Sequence, residues 1–139
     1  MKAPQKVVVL MSAVMMAAPV SALAEDVSLV ADLAGSNETA GGDADGDGHF
    51  HAQVDADKGS MCYSLRADDV ADVTMAHIHS GAAGANGPPV ATLKLGLNQC
   101  MDVGKEVLKA IVAAPGDYYV NVHNAEFPAG AMRGQLEKE

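Results

Sequence analysis

The chain has 139 residues, with 18 acidic side chains against 9 basic ones and a formal net charge of −9. That balance argues against nucleic acid and anionic membrane surfaces as partners, and it would attract cations. With no Trp, 3 Tyr and 2 Phe, any core must be built from Val, Leu, Ile, Ala and Met.

The start of the chain reads as a leader. Lys2 and Lys6 form a positive head, residues 7–18 an apolar run, and Ala22-Leu23-Ala24 a small-residue cleavage site. Residues 1–24 are therefore expected to be a secretory signal peptide, with 25–139 as one exported domain, periplasmic or secreted. A retained membrane anchor is the alternative, and the shortness of the run counts against it. Loss of Lys2 and Lys6 would make the domain more acidic still.

Residues 26–33 read as a first strand, with Val27, Leu29 and Ala31 alternating against polar neighbours. A glycine- and aspartate-rich loop follows. Within it, Asp43, Asp45 and Asp47 before Gly48 match the first half of a calcium loop. The twelfth position is Val54, where an EF-hand needs a bidentate Glu, and a strand follows instead of a helix. An EF-hand is excluded; a solvated turn is the favoured reading, and a weak calcium site the alternative. Residues 49–55 alternate cleanly, turning Phe50, Ala52 and Val54 inward and His49 and His51 outward. That His-x-His pair could extend a metal site if its strand adjoined the right neighbour, or hold a second ion. Asp57-Lys58-Gly59 is a hairpin turn signal, and 60–66 the return strand, with Met61, Tyr63 and Leu65 on one face and Cys62 on the other.

Residues 73–79 form a strand ending in Ala76-His77-Ile78-His79-Ser80-Gly81. Alternate side chains share a face in an extended chain, so Met75, His77 and His79 point one way and Ile78 the other. A loop rich in Gly and Pro follows, then a strand at 90–95. Asp102 is a plausible N-cap for a short helix at 104–114, with Val107, Leu108, Ile111 and Val112 as its apolar stripe. Residues 117–123 are a strand carrying Tyr118, Val120 and Val122 on one face and Tyr119, Asn121 and His123 on the other. Residues 131–137 close the chain, with Arg133 and Gln135 opposite Met132, Gly134 and Leu136. About seven strands, frequent turns and no β-helix-β rhythm predict an all-β antiparallel sandwich or barrel with one short helix.

Cys62 and Cys100 are the two cysteines. An even count in an exported chain points to a disulfide. A thiolate metal site is the alternative, and the distance of the cysteines from each other and from the histidines in sequence counts against it.

Two stretches closely resemble the CHRD domain, the module named from chordin and found in many exported bacterial proteins. One runs from Ala76-His77-Ile78-His79-Ser80-Gly81 through Asn86-Gly87-Pro88. The other runs from Tyr119-Val120-Asn121-Val122-His123 through Phe127-Pro128-Ala129-Gly130-Ala131-Met132-Arg133-Gly134-Gln135-Leu136. The opening Leu33-Ala34-Gly35-Ser36-Asn37-Glu38 is similar to the family's start, so the resemblance covers essentially all of 25–139. It implies a Greek-key, immunoglobulin-like sandwich of seven to eight strands. The chain departs from the pattern at Pro89, where Val is usual, and at Ala131, where many members have Glu.

His77, His79 and His123 form the leading constellation. Three imidazoles suit copper or zinc, with copper favoured. By analogy of motif and fold, copper/zinc superoxide dismutases arrange part of their copper site in a similar way, so redox chemistry of that kind is one expectation. Arg133 is expected to be a nearby cation that attracts anions. Met75, with a thioether on the same face, would favour Cu(I), and Asn121 would orient His123. The competing expectation is a non-enzymatic structural or interaction module whose histidines order the glycine loop. No nucleophile, base and acid stand in a catalytic pattern. The loop at 81–87 leads into a strand and not a helix, so it is no phosphate cradle.

Overall fold

The computed structural model describes residues 26–139, and the expected signal peptide lies outside them. Along the described chain come β1 (Val27–Ala34), β2 (Asp47–Asp55), β3 (Ser60–Asp68), β4 (Val73–Ser80), β5 (Pro89–Leu93), β6 (Gly96–Asp102), helix α1 (Lys105–Ala113), β7 (Tyr118–Asn124), β8 (Met132–Gln135) and β9 (Glu137–Lys138). All the ladders are antiparallel and run in the order β5-β4-β7-β8-β1-β2-β3-β6, with β9 also on β1. The order is not sequential. After the β1-β2-β3 meander the chain crosses to β4 and β5, returns to lay β6 beside β3, and crosses again to β7.

This single sheet curls so that its inner face closes one core. Leu29, Phe50, Val54, Leu65, Ile78, Leu93, Val120, Val122 and Met132 belong to one continuous apolar cluster. They sit at alternate positions on their strands, as a period of two requires. α1 adds Leu108 and Ile111, both buried, to the same cluster. The core is mainly aliphatic, as composition implies, but Phe50 and Tyr63 also belong to it, and no helix among the described residues is long and apolar enough to cross a membrane.

Two expected boundaries are corrected. The strand placed at 90–95 ends at Leu93, and a further strand, β6, follows at Gly96–Asp102. It is an edge strand with little buried surface, so it lacks the alternation that marks a half-buried one. Asp102 is therefore the end of β6 and not a helix cap. The N-cap of α1 is Gly104, at φ 112°, with no side-chain cap. The hairpin at Asp57-Lys58-Gly59 forms as expected: the Lys58 amide donates to Asp55 Oδ1 at 2.8 Å, and Gly59 adopts φ 81°.

Cys62 and Cys100 face each other across β3 and β6 and form a disulfide. It fastens the last strand of the sheet from the outer face, since neither cysteine is part of the core.

Candidate metal centre

β4 and β7 lie side by side, with Met75 opposite His123, His77 opposite Asn121, and His79 opposite Tyr119. β8 continues the face by placing Arg133 opposite Asn121 and Gln135 opposite Tyr119. Alternation sends Ala76, Ile78, Val120 and Val122 into the core and this polar set to the outside of the sheet. The outside is not bare. Tyr119, Asn121, His123 and Arg133 are all buried, together with Glu38 from the loop after β1. The protein thus carries a second, polar core on the outer face of β4, β7 and β8.

Glu38 and Arg133 form its charged centre. Arg133 Nε donates to Glu38 Oε2 at 2.8 Å, and the pair is almost fully enclosed. Asn121 donates to Glu38 Oε1 and to the Met132 carbonyl. Arg133 further donates to the Ala85 carbonyl at 3.1 Å and to Asn86 Oδ1 at 2.9 Å, and its guanidinium lies 4.2 Å from the centre of the Tyr119 ring. A buried charge pair needs its remaining donors and acceptors satisfied, and this one recruits the glycine loop to do so. Gln135 adds a bond to the Gly81 carbonyl at 2.7 Å.

The three histidines border this core. One nitrogen from each ring of His77, His79 and His123 lies within 4.8 Å of the other two. The bonding at the opposite nitrogens fixes what these can do. His79 Nδ1 stands 2.8 Å from the Gly87 carbonyl, and His123 Nδ1 stands 3.1 Å from the Pro128 carbonyl. A carbonyl only accepts, so both Nδ1 atoms carry their protons and both Nε2 atoms present lone pairs in the neutral ring. His79 Nε2 is buried and has no hydrogen-bond partner. His123 Nε2 faces His77 Nδ1 at 3.3 Å. The His79 ring is stacked on Tyr119, 5.0 Å between centres and 8° from parallel, which locks its plane.

Burial holds all three imidazoles below their ordinary pKa. For His77 the neighbouring His79 adds to the effect, for His79 its neighbours His123 and Arg133, and for His123 its neighbours His77 and Arg133. The carbonyl bonds and Glu38 oppose this at His79 and His123 without reversing it. The rings are therefore biased to the neutral state that ligates a metal.

The glycine loop is built for close approach. A Cβ on Gly87 would collide with the Ser80 carbonyl, so only glycine lets the chain return and present its own carbonyl to His79. Gly130 lies against the Glu38 carboxylate with the same result. Between the two loops lies a cavity of about 250 Å³, walled by Glu38, His79, Tyr119, Asn121 and Arg133.

Several expectations are corrected by this geometry. Arg133 is not available to attract anions, because Glu38 neutralises it and protein acceptors take its donors. Asn121 does not orient His123; that role falls to the Pro128 carbonyl, and Asn121 holds Glu38. His49 and His51 do not extend the triad, since β2 pairs with β1 and β3 and not with β4 or β7. His49 instead meets Asp32 at 2.8 Å, and His51 lies near Ser28 and Glu139. Among the described residues, Asp43, Asp45 and Asp47 do not gather as a cation site. Asp43 accepts from the Asp45 amide, and Asp47 begins β2. Met75 does share the triad's face, and it is exposed. Sequence reasoning missed Glu38 and Tyr119 as parts of the site. The signal was a strand whose outward residues, Tyr119, Asn121 and His123, were polar enough for solvent yet lay beside a strand offering Arg133.

No curated protein and no solved structure is significantly similar to the chain. A family model described as the CHRD domain matches residues 29–136, which takes in every element from the first strand to the last core residue, Leu136. The chain belongs to the CHRD domain family.

Proposed function

We propose that this is an exported metal-binding protein, periplasmic or secreted, that holds a transition-metal ion through His77, His79 and His123. The observation that carries the reading is the pair of backbone anchors on His79 and His123. Metal-binding imidazoles characteristically give their other N–H to a carbonyl or carboxylate, which sets the tautomer and aims the ligating nitrogen. Here two of three rings are held that way, and one aimed nitrogen is buried without a partner. Imidazole nitrogens on a tetrahedral ion at about 2.0–2.1 Å stand roughly 3.3 Å apart. The His77–His123 separation of 3.3 Å already has that value.

Copper is favoured over zinc because an all-imidazole site ranks it higher among divalent ions. The site supports binding and transfer of copper ahead of dismutation of superoxide. A dismutase gains from a cation that draws in the anion, and the buried Arg133–Glu38 pair supplies none.

A second reading has its own observation. The His79–Gly87 bond orders the glycine loop whether or not an ion is present. Thermal unfolding with and without metal separates the two. Cu²⁺ or Zn²⁺ at about a thousand times its dissociation constant should stabilise the fold by roughly 4 kcal/mol. His77→Ala, His79→Ala and His123→Ala should each remove most of that gain, and His49→Ala should not. A purely loop-ordering role gives no metal-dependent shift and a loss of intrinsic stability in His79→Ala.

A further inference from the structure

We propose that Met75 is the fourth ligand of this centre for reduced copper, so that the site accepts both oxidation states with different ligand sets. The inference rests on the three-imidazole reading and adds to it.

Met75 sits directly opposite His123 in the β4–β7 ladder and stands two residues before His77 on the same face. Side chains opposite one another across antiparallel strands have Cβ atoms about 4.5–5.5 Å apart. A methionine has three rotatable bonds to carry its sulfur over that span. Exposure rises along β4 from His79 and His77 to Met75, while His123, across from Met75 on β7, is buried. His123 is 6% exposed, His77 and His79 are half-buried, and Met75 is 51% exposed. Met75 is therefore the solvent-facing end of this face of β4, beside the half-buried His77 and across from the buried His123.

The chemistry of the donors then divides by oxidation state. Imidazole serves Cu(II), Zn(II) and Cu(I) alike, whereas a thioether is a soft donor that selects Cu(I). With Cu(II) the three rings suffice and water completes the shell. With Cu(I) the sulfur takes the open position. No electron donor is needed, because the ligand sets differ in which state they hold and do not interconvert the two.

The test compares wild type with Met75→Leu, which keeps volume at a half-exposed position and removes the sulfur. Cu(I) affinity is measured anaerobically by competition with bathocuproine disulfonate, and Cu(II) and Zn(II) affinities by competition with nitrilotriacetate. The expected result is Cu(I) binding weakened by about tenfold or more, with the two divalent ions within about twofold of wild type. The Cu(II)/Cu(I) midpoint should then fall by about 59 mV for each tenfold. A sulfur scatterer should appear in the X-ray absorption spectrum of the Cu(I) form of wild type only. Unchanged Cu(I) affinity overturns the role of Met75 and leaves the imidazole site standing. Equal weakening of all three ions also overturns it, since packing would then be the cause. Absence of saturable copper in either state from the wild-type protein overturns the ligand and the centre together.

Discussion

His77 Nδ1 and His123 Nε2 are 3.3 Å apart, and only one of them can carry the hydrogen between them. Since His123 spends its own proton on the Pro128 carbonyl, its Nε2 accepts and His77 Nδ1 donates. An ion held by both nitrogens would have to displace that proton. In the neutral triad the proton can move to the far nitrogen of His77 and stay on the protein. Metal binding near pH 8 should therefore release close to no protons, and release should climb only as pH falls below the ordinary histidine value of about 6.5, because burial lowers all three rings. Calorimetry in two buffers of different ionisation enthalpy counts them. A constant release across that range would show that the ring states are not as assigned.

The metal-free protein should lose stability on mild acidification. Each of the three imidazoles is held below its ordinary value by burial. As pH falls through about 6.5 the unfolded chain takes up protons before the folded one does, so unfolding is favoured. The contribution is complete above that value and is lost as pH falls towards the folded values. Melting temperatures of metal-free protein at about pH 7.5 and about pH 5.5 should differ, and His123→Asn should narrow the gap. An equal gap in the variant would assign the acid sensitivity elsewhere.

Breaking the Glu38–Arg133 pair from one side should be severe. Arg133→Met or Glu38→Gln leaves the other partner buried without its counter-charge, at a cost of roughly 3–5 kcal/mol. Arg133→Met also frees Asn86 and the Ala85 carbonyl, so loop amides near 84–87 should exchange faster with solvent. Chemical denaturation and hydrogen exchange would read the two effects. A loss under about 1 kcal/mol would mean that water reaches the pair.

The strands of this fold were legible wherever one face is core and the other polar. Phe50, Ala52 and Val54 on β2, and Val120 and Val122 on β7, announced themselves by alternation. β6 did not, because an edge strand held by one neighbour and a disulfide has no such contrast. The triad was legible too, as a His-x-His pair with a third His on a strand face. Its environment was not. Alternation tells which residues leave the core but not whether loops cover them afterwards. Glu38 reaches Arg133 across 95 positions of sequence, and no local pattern encodes that contact. The same blindness made Arg133 read as a free cation and Asn121 as a partner of His123.

Reduction of Cys62–Cys100 should lower stability by roughly 3–4 kcal/mol, since the bridge closes a long loop of chain. The damage should start at β6, the edge strand it holds, and leave the triad on β4 and β7 intact. Denaturation with and without reductant gives the magnitude. Metal titration of the reduced protein checks that the centre survives, and loss of binding there would tie the two ends of the sheet together.

Calcium should bind no better than about millimolar, because the Asp43–Asp47 segment lacks a bidentate carboxylate and does not converge. Calorimetry showing a micromolar site abolished by Asp45→Ala would refute this.

The anchors on His79 and His123 set the order in which the centre comes apart. An imidazolium still has its Nδ1 proton, so acid does not cut the bonds to Gly87 and Pro128. What acid removes is the lone pair at Nε2, and what it adds there is repulsion between rings. An ion held by these nitrogens would therefore be lost while both loops stay tethered to their rings. When pH rises again the two Nε2 lone pairs would reappear already aimed.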